Sequence, residues 1–254
     1  MRNTVKKYYE YVHSAVEGIL NSEENSKAIE EGARLIAERI VQDKLVYLIG
    51  PGGHSNLSTE ECLCRAGMLV QLSPMIDATN LLHGTTKTRF LQRSNGAYAK
   101  GLLEEYGLEA GDVLIIINAY GINSLTVDMA VEGRKQGVKI IAISSAEFAK
   151  RLPSEHPARH PSGKSLRDVC DVFIDSKMPF EDAVIEIEDV EQPVGPTSTL
   201  CNVFSINILM LSAVERIVEM GHKPKIWRSI NLPGGDEYNK SYFKEYGQRI
   251  KFLL

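Results

Sequence analysis

Short apolar runs alternate with amphipathic stretches through the middle of the chain. We predict that the apolar runs are buried β-strands and that the stretches between them, which have apolar residues at helical spacing, are α-helices. The predicted strands lie near residues 45–49, 69–72, 113–117, 139–143 and 171–175. This alternation is typical of an α/β fold with a doubly wound parallel sheet and right-handed crossovers.

Helices flank the predicted sheet at both ends of the sequence. Residues 4–43 have the apolar spacing of two amphipathic helices that are separated near Asn21. Residues 198–220 form a long predicted helix that is apolar on more than one face, which favours burial against the sheet and against a second copy of the chain. We therefore divide the chain into a helical pair, residues 1–43, that packs on the sheet and the dimer partner, and one unit, residues 44–254, that ends in a short helical tail.

Three of the predicted strands are each followed by a polar turn and then by a helix. The turns span residues 50–55, 118–124 and 144–145 and are rich in Gly, Ser and Asn. In an open parallel sheet such turns lie together at the carboxyl ends of the strands, where the N–H groups and positive dipole of each following helix face a bound anion or sugar. The pattern predicts a small, polar, anionic ligand.

The first turn carries Gly50, Gly52 and Gly53 directly after a strand. A dinucleotide-binding turn needs a further glycine where this chain has Ser55, and the acidic candidate for the ribose, Asp77, comes later than that site requires. The pattern therefore disfavours a nicotinamide or flavin cofactor. A tight turn with no ligand remains the alternative explanation for the glycines.

Composition narrows the classes of protein that remain. The chain has 254 residues, of which 43% are hydrophobic, and a net charge of -4, as expected for a globular protein with a sizeable core. Its Lys and Arg residues form no basic stripe, so we expect no nucleic-acid partner. No apolar run approaches the length of a membrane span, and no apolar segment follows the basic residues near the N-terminus, so we expect a cytoplasmic protein with no membrane partner.

The four cysteines carry no metal or disulfide signature. Cys62, Cys64, Cys170 and Cys201 include no Cys-x-x-Cys pair and no His at finger spacing, and all lie in apolar-patterned segments. We interpret them as buried thiols and predict no metal and no cofactor.

Two predicted loops are longer than a compact domain needs, and loops of that length are more often functional. The first, residues 77–93, carries His83. The second, residues 148–167, carries His156, His160 and Lys164.

Several motifs together resemble the sugar isomerase, or SIS, domain family. They are Gly52-Gly53-His54-Ser55, Glu60-Glu61, Arg65-Ala66-Gly67, and the segments 160–164 and 234–239. The likeness covers nearly the whole chain and is closest to bacterial sugar isomerase domain proteins of poorly defined substrate, which are similar to phosphoheptose isomerases. The resemblance implies a flavodoxin-like five-stranded sheet, phosphosugar recognition, and a homodimer or dimer of dimers with sites at the subunit boundary.

The resemblance also implies aldose–ketose isomerisation through an enediol. That reaction moves a proton between C1 and C2 and needs a base, and ring opening needs an acid and a base, usually a carboxylate and an imidazole. The catalytic candidates are Glu61 or Glu60 as the base, with His54, His83 or His160 acting on the ring oxygens. The substrate-binding candidates are Gly52, Gly53, Ser55, Asn118, Tyr120, Gly121, Asn123, Ser124, Ser144, Ser145, Lys164, Ser198 and Thr199.

Two regions depart from the family pattern. The second turn has Asn118 where a hydroxyl is usual, and Tyr120 is bulky where a small residue is usual. The catalytic Glu of the better-known isomerases lies about one helical turn beyond Glu61, where this chain has Cys64 and Arg65. The pose of the phosphate, its presence in the ligand and the identity of the base therefore stay open.

Structural roles are the alternative for several of these residues. Glu61 and Arg65 have the i,i+4 spacing of a surface ion pair. Ser198 or Thr197 is suited to cap the long helix. No Asp or Glu occurs between Gln192 and Ser205. The N-terminus of the long helix is therefore a further expected place for a phosphate.

Three functions follow from the residues and the resemblance. The first is a phosphosugar isomerase. The second is a non-catalytic phosphosugar sensor that regulates a partner, and the third is a deglycase or lyase that uses the same enediol chemistry.

Overall fold

Strands and helices alternate along residues 2–77 and 96–253, the part of the chain that the computed structural model describes. The strands are β1 (Val46–Ile49), β2 (Leu72–Pro74), β3 (Val113–Ile117), β4 (Lys139–Ser144), β5 (Val172–Asp175), β6 (Ala183–Ile185) and β7 (Val194–Pro196). The helices are α1 (Asn3–Leu20), α2 (Glu23–Val41), α3 (Gly53–Glu60), α4 (Ala97–Tyr106), α5 (Ser124–Lys135), α6 (Ala146–Arg151), α7 (Leu166–Val169), α8 (Ser198–Glu219) and α9 (Gly235–Tyr246).

The main sheet has five parallel strands in the order β2-β1-β3-β4-β5. Val46 of β1 pairs with Leu72 on one side and with Val113 on the other. The strand order reverses between β1 and β3, which is where open α/β sheets bind their ligands. The predicted α/β fold with a doubly wound parallel sheet is confirmed.

Alternate residues of the central strands pack into two cores. Leu48 and Ile115 lie in the core beneath α2 and α8. Ile49, Leu114 and Ile116 lie in the opposite core beneath α4 and α5. Because both faces of the sheet are covered, its strands are continuous apolar runs and are easily recognised in the sequence.

The second strand lies later than predicted. Residues 68–70 pair instead with the segment 225–227, through hydrogen bonds from the Val70 amide to the Lys225 carbonyl and from the Trp227 amide to the Met68 carbonyl. Only the residues after this pairing reach β1. Apolar patterning shows that a segment is buried but does not show which partner takes its hydrogen bonds.

The long helix α8 packs against α1, α2 and α3. By length and composition it is apolar enough to cross a membrane, contrary to the expectation from the sequence. Within its most apolar stretch, 44% is buried inside the protein, and Ile206 and Leu209 are fully buried. Leu200, Leu211 and Val218 are exposed on its outer side, so both faces of α8 are apolar, as predicted.

Three further details differ from the expectations. The pairing of β6 with β7 forms an antiparallel hairpin that is too short to give a periodic signal. The predicted loop 148–167 contains the end of α6 and the start of α7. Cys62 and Cys201 are buried as expected, but Cys64 is exposed and Cys170 is half-buried, because Cys64 lies in a turn beyond α3 rather than within a packed element.

Candidate functional site

A cleft of about 680 Å³ lies at the carboxyl ends of β1 and β3, at the reversal of strand order. The turn after β1, the turn after β3 and the segment from α6 onward form its walls. The residues that line it are Gly52, His54, Ser55, Asn118, Ala119, Tyr120, Ile122, Asn123, Phe148, Leu152, His156 and Ala158. The sequence analysis proposed six of these twelve as site residues, namely Gly52, His54, Ser55, Asn118, Tyr120 and Asn123.

The first turn is built by a close approach of the backbone to itself. A Cβ atom on Gly50 would lie 2.3 Å from the carbonyl oxygen of Ser55, so only glycine fits. Gly52 precedes α3 with a φ of 112°, which an L side chain rarely adopts. The turn therefore brings the start of α3 directly onto the cleft, with Gly53 in its first position.

Asn118 joins the first turn to the second. Its buried side chain donates from Nδ2 to the Pro51 carbonyl at 2.6 Å and accepts at Oδ1 from the amides of Tyr120 and Gly121, at 3.1 and 2.8 Å. The Ser55 hydroxyl adds a second link, accepting from the Ala119 amide at 3.2 Å. Asn118 lines the cleft, but its amide group is already used in shaping the two turns.

The helices that start at these turns have no side-chain caps. Gly52 has no side chain to cap α3, and Asn123, which precedes α5, donates its Nδ2 to the Ala158 carbonyl at 3.0 Å instead. Neither helix has an acidic residue in its first turn. Two helix N-termini with their partial positive charge therefore face the same cleft.

Tyr120 and Phe148 form an aromatic wall. Their ring centroids lie 4.3 Å apart, and Phe148 stacks in turn on Phe180 at 5.1 Å. Burial, and then the charge of Asp182, raise the pKa of the Tyr120 phenol, so that it stays neutral. The bulky residue at this position thus fills one side of the cleft.

The third turn does not contribute to the lining. Ser145 caps α6 by accepting from the Phe148 amide at 3.2 Å, and it donates to the Met178 carbonyl at 2.9 Å. Ser144 is buried next to Gly121, where a Cβ atom would lie 2.4 Å from the Ser144 hydroxyl oxygen. Ser124, in the first position of α5, is also buried. These three predicted binding residues lie beneath the turns and support their conformation, and they do not line the cleft.

The N-terminus of α8 already holds a carboxylate, contrary to the expectation of a free one. Asp182 accepts from the amides of Thr197 and Ser198 at 2.8 and 2.6 Å and from the Ser198 hydroxyl at 2.9 Å. Asp182 lies sixteen residues before Ser198, outside the window that the sequence analysis inspected. Ser198 and the half-buried Thr199 lie outside the cleft lining.

Glu60, the last residue of α3, and the adjacent Glu61 lie outside the cleft lining as well. Glu61 pairs with Arg65 at 3.1 Å, the alternative noted from their spacing. Glu60 is exposed and accepts from Nδ2 of Asn56 at 2.5 Å. Within the single described chain, neither carboxylate reaches the ligand space.

The predicted residues of the long loops have three different outcomes. His160 is held away from the cleft by Asp128, with 3.0 Å between Nε2 and Oδ1. Lys164 is exposed, and its amide donates to the Ser162 hydroxyl at 3.3 Å. His83 lies outside the described residues.

The sequence analysis missed the far wall of the cleft. Phe148, Leu152, His156 and Ala158 line it together. His156 lies in a long predicted loop but outside the segments that carry the family resemblance, so its sequence context did not mark it as a site residue. Its approach to the turn after β3 depends on how the segment folds back over α5.

Comparison with known proteins now places the chain. The SIS domain family matches residues 7–145, and the chain belongs to that family. It is 34% identical over 250 residues to a UPF0309 protein from Halalkalibacterium halodurans, covering 98% of this chain and 97% of the relative. It is 31% identical to a UPF0309 protein from Geobacillus kaustophilus over 98% of this chain and 97% of that one.

Solved structures of two phosphoheptose isomerases share the fold. The enzyme from Francisella tularensis has a TM-score of 0.50 at 15% identity, covering 87% of this chain and all of that one. The enzyme from Neisseria gonorrhoeae has a TM-score of 0.52 at 13% identity, covering 85% of this chain and 97% of that one. At these identities the likeness concerns the fold alone.

Proposed function

We propose that the protein binds a phosphorylated sugar in the cleft between β1 and β3 and isomerises it between aldose and ketose forms through an enediolate. The observation that carries the proposal is the pair of uncapped helix N-termini, α3 and α5, that face one cleft. Converging amides and dipoles are a ready site for a phosphate. Membership of the SIS family and the shared fold of two phosphoheptose isomerases agree with it.

The lining suits a phosphate monoester held by neutral donors. No Lys, Arg, Asp or Glu is among the described residues that line the cleft. Backbone amides can bind an anion without a cation because the helix dipoles supply partial positive charge. The remaining polar groups of the lining bind the hydroxyls of the sugar.

His54 is the proposed base for proton transfer at carbon. It stands in the first turn of α3, is exposed to the cleft, and has no hydrogen-bond partner in the described ranges. A neutral imidazole with a free lone pair is suited to moving a proton between C1 and C2. Glu60 and Glu61 take this role only if another conformation or a second chain brings them to the ligand.

A screen and an exchange measurement test the function. The purified protein is heated with a panel of sugar phosphates, the matching free sugars and inorganic phosphate. Sugar phosphates that bind are then incubated with it in deuterated water. We expect thermal stabilisation by a sugar phosphate and deuterium at C1 or C2, with His54→Ala lowering the exchange rate about a hundredfold and Lys223→Ala, at an exposed site, as the control. The absence of any stabilisation across the panel would contradict the proposal.

A non-catalytic sensor is the second candidate, and the position of Glu60 and Glu61 outside the lining favours it. It predicts the same thermal stabilisation with no exchange at any pH. A deglycase or lyase would show exchange together with release of a second product.

Assembly and compartment are proposals as well. The exposed apolar residues Leu200, Leu211 and Val218 lie along one side of α8, and we propose that they pack against a second copy of the chain in a homodimer. Leu211→Glu should then convert the dimer to a monomer in light-scattering measurements. The sequence argument alone supports the cytoplasm as the compartment.

A further inference from the structure

We infer that His156 is a fixed hydrogen-bond donor of this site, which presents its Nε2–H to an oxygen of the ligand and stabilises the enediolate. The inference rests on the proposed function, which it deepens by assigning a residue outside the segments that carry the family resemblance. It is based on two histidines, four residues apart in one loop. Both rings accept a backbone hydrogen bond at Nδ1, but their Nε2 atoms have different surroundings.

The backbone determines the tautomer of His156. The Ala158 amide donates to Nδ1 of the ring at 3.2 Å. A nitrogen that accepts a hydrogen bond carries no proton, so the neutral ring has its proton on Nε2. The neutral imidazole is then a donor at Nε2 and offers no second lone pair to accept a proton.

His160 repeats this local arrangement with a different result. The Ser162 amide donates to its Nδ1 at 3.1 Å, so Nε2 is again the donor. There the Nε2 lies 3.0 Å from the Asp128 carboxylate, and the pair is mostly buried. The donor of His160 is therefore used within the protein, whereas the Nε2 of His156 has no partner among the described residues and its side chain lines the cleft.

Several hydrogen bonds hold the turn that carries His156 in place. Arg159 donates to the carbonyls of Leu152 and Pro153 at 2.8 and 3.0 Å. Asn123, which precedes α5, binds the Ala158 carbonyl at 3.0 Å. The His160 amide donates to the Ile122 carbonyl at 2.7 Å. The backbone that carries His156 is thus tied to the residues before α5, while the Ala158 amide orients its exposed ring, which lowers the cost of ordering the donor when a ligand binds.

A neutral imidazole donor matches the charge that develops in the reaction. His54 takes the proton from C2, the C–H electron pair forms the C1–C2 double bond, and the carbonyl oxygen at C1 becomes the enediolate oxygen. His156 hydrogen-bonds to that oxygen and keeps its own proton. The proton from His54 then goes to C1 and the hydroxyl proton at O2 moves to O1, which completes the ketose with no oxidant or reductant.

The first test is the tautomer in the ligand-free protein. Long-range proton–nitrogen NMR spectra of the ¹⁵N-labelled full chain, at a pH where imidazole is neutral, distinguish the two tautomers of each histidine, and His156→Gln assigns the signal. We expect the Nε2–H form for His156. An Nδ1–H form would overturn the inference without touching the proposed function.

The second test uses a sugar phosphate that binds in the thermal screen. We expect His156→Ala to weaken the binding of that sugar phosphate about fivefold. Where exchange is observed, the factor by which kcat falls should be about ten times the factor by which KM rises. His156→Gln, which keeps a donor amide, should recover to within about threefold of the native protein, and His222→Gln, at an exposed site far along the sequence, should change nothing.

The outcomes separate the two proposals. A sugar phosphate that binds the native protein and His156→Ala equally well would overturn the role of His156 alone. If no sugar phosphate binds the native protein, the proposed function and the inference that rests on it both fail. If His156→Ala and His156→Gln bind the sugar phosphate equally weakly, the donor role would be overturned and the effect would be one of packing.

Discussion

Three helix N-termini can be compared. Those of α3 and α5 and that of α8 begin with similar types of residue, but they differ in whether a side chain binds their amides. All three helices begin among small or polar residues with no acidic side chain in the first turn. Asp182, just before β6, accepts from the Thr197 and Ser198 amides at the start of α8, while no side chain caps α3 or α5. A helix N-terminus is open to a ligand only if the rest of the fold leaves it so.

At α8 the anion is a carboxylate of the protein itself. At α3 and α5 the N-termini are left for an anion that comes from solution. The carboxylate of Asp182 accepts from the Thr197 and Ser198 amides and so ties the start of β6 to the start of α8. At the cleft, Asn118 and Gly50 hold the two turns in place without supplying any charge. The open ends therefore depend on backbone geometry, and the closed end depends on one side chain.

The strongest way to break this contrast is Gly50→Ala. Its Cβ would lie 2.3 Å from the Ser55 carbonyl oxygen, so the turn before α3 must move. We expect a loss of about 2–4 kcal/mol in the free energy of unfolding, measured in urea, and loss of sugar phosphate binding. Gly101→Ala, on α4 with no atom within 4 Å of the new Cβ, is the matched control and should stabilise by about 0.5–1 kcal/mol. Equal effects of the two changes would contradict the close approach.

Asn118→Asp should place a negative charge beside the uncapped N-termini of α3 and α5. The substitution removes the donor to the Pro51 carbonyl and adds an anion beside the proposed phosphate site. We expect a cost of about 1–3 kcal/mol in stability and at least tenfold weaker binding of any sugar phosphate that the native protein takes, measured by calorimetry. Unchanged binding would place the phosphate elsewhere.

Asp182→Ala should open the end of α8. The variant loses the carboxylate that accepts from Thr197 and Ser198, and we expect a fall of about 1–2 kcal/mol in the free energy of unfolding. Asp182→Asn, which keeps one acceptor oxygen, should lose less. Sugar phosphate binding in the cleft should remain, and its loss in a folded Ala variant would show that α8 also belongs to the site.

The smallest effect concerns the pH dependence conferred by Asp128, the partner of His160. Burial raises the pKa of Asp128 above its ordinary 3.8, and the hydrogen bond from His160 only partly offsets this. An acid whose pKa is raised on folding binds its proton more tightly in the native state, so its contribution to stability falls as pH rises from 3.8 through the raised value. In Asp128→Asn this fall should be absent while the acceptor for His160 is kept. Parallel curves of unfolding free energy against pH for the two proteins would contradict it.

The amino-acid sequence was enough to predict the architecture. The apolar runs of the central strands are buried on both faces of the sheet, so periodicity and composition suffice to find them and to order helices between them. The turns that follow β1 and β3 were predicted from Gly50, Asn118 and Asn123, because residues of these types at strand ends mark tight connections. The convergence of two turns on one cleft then follows from parallel strands.

The use of each polar group depends on the folding of the whole chain and could not be predicted from the sequence. Asp182 caps a helix sixteen residues away, and one of two similar histidines meets Asp128 while the other lines the cleft. Hydrogen bonds act over about 3 Å, and the partner in each case comes from a segment that is distant in sequence. Local pattern specifies which groups need a partner, and the packing of the whole chain decides which of them remain for a ligand.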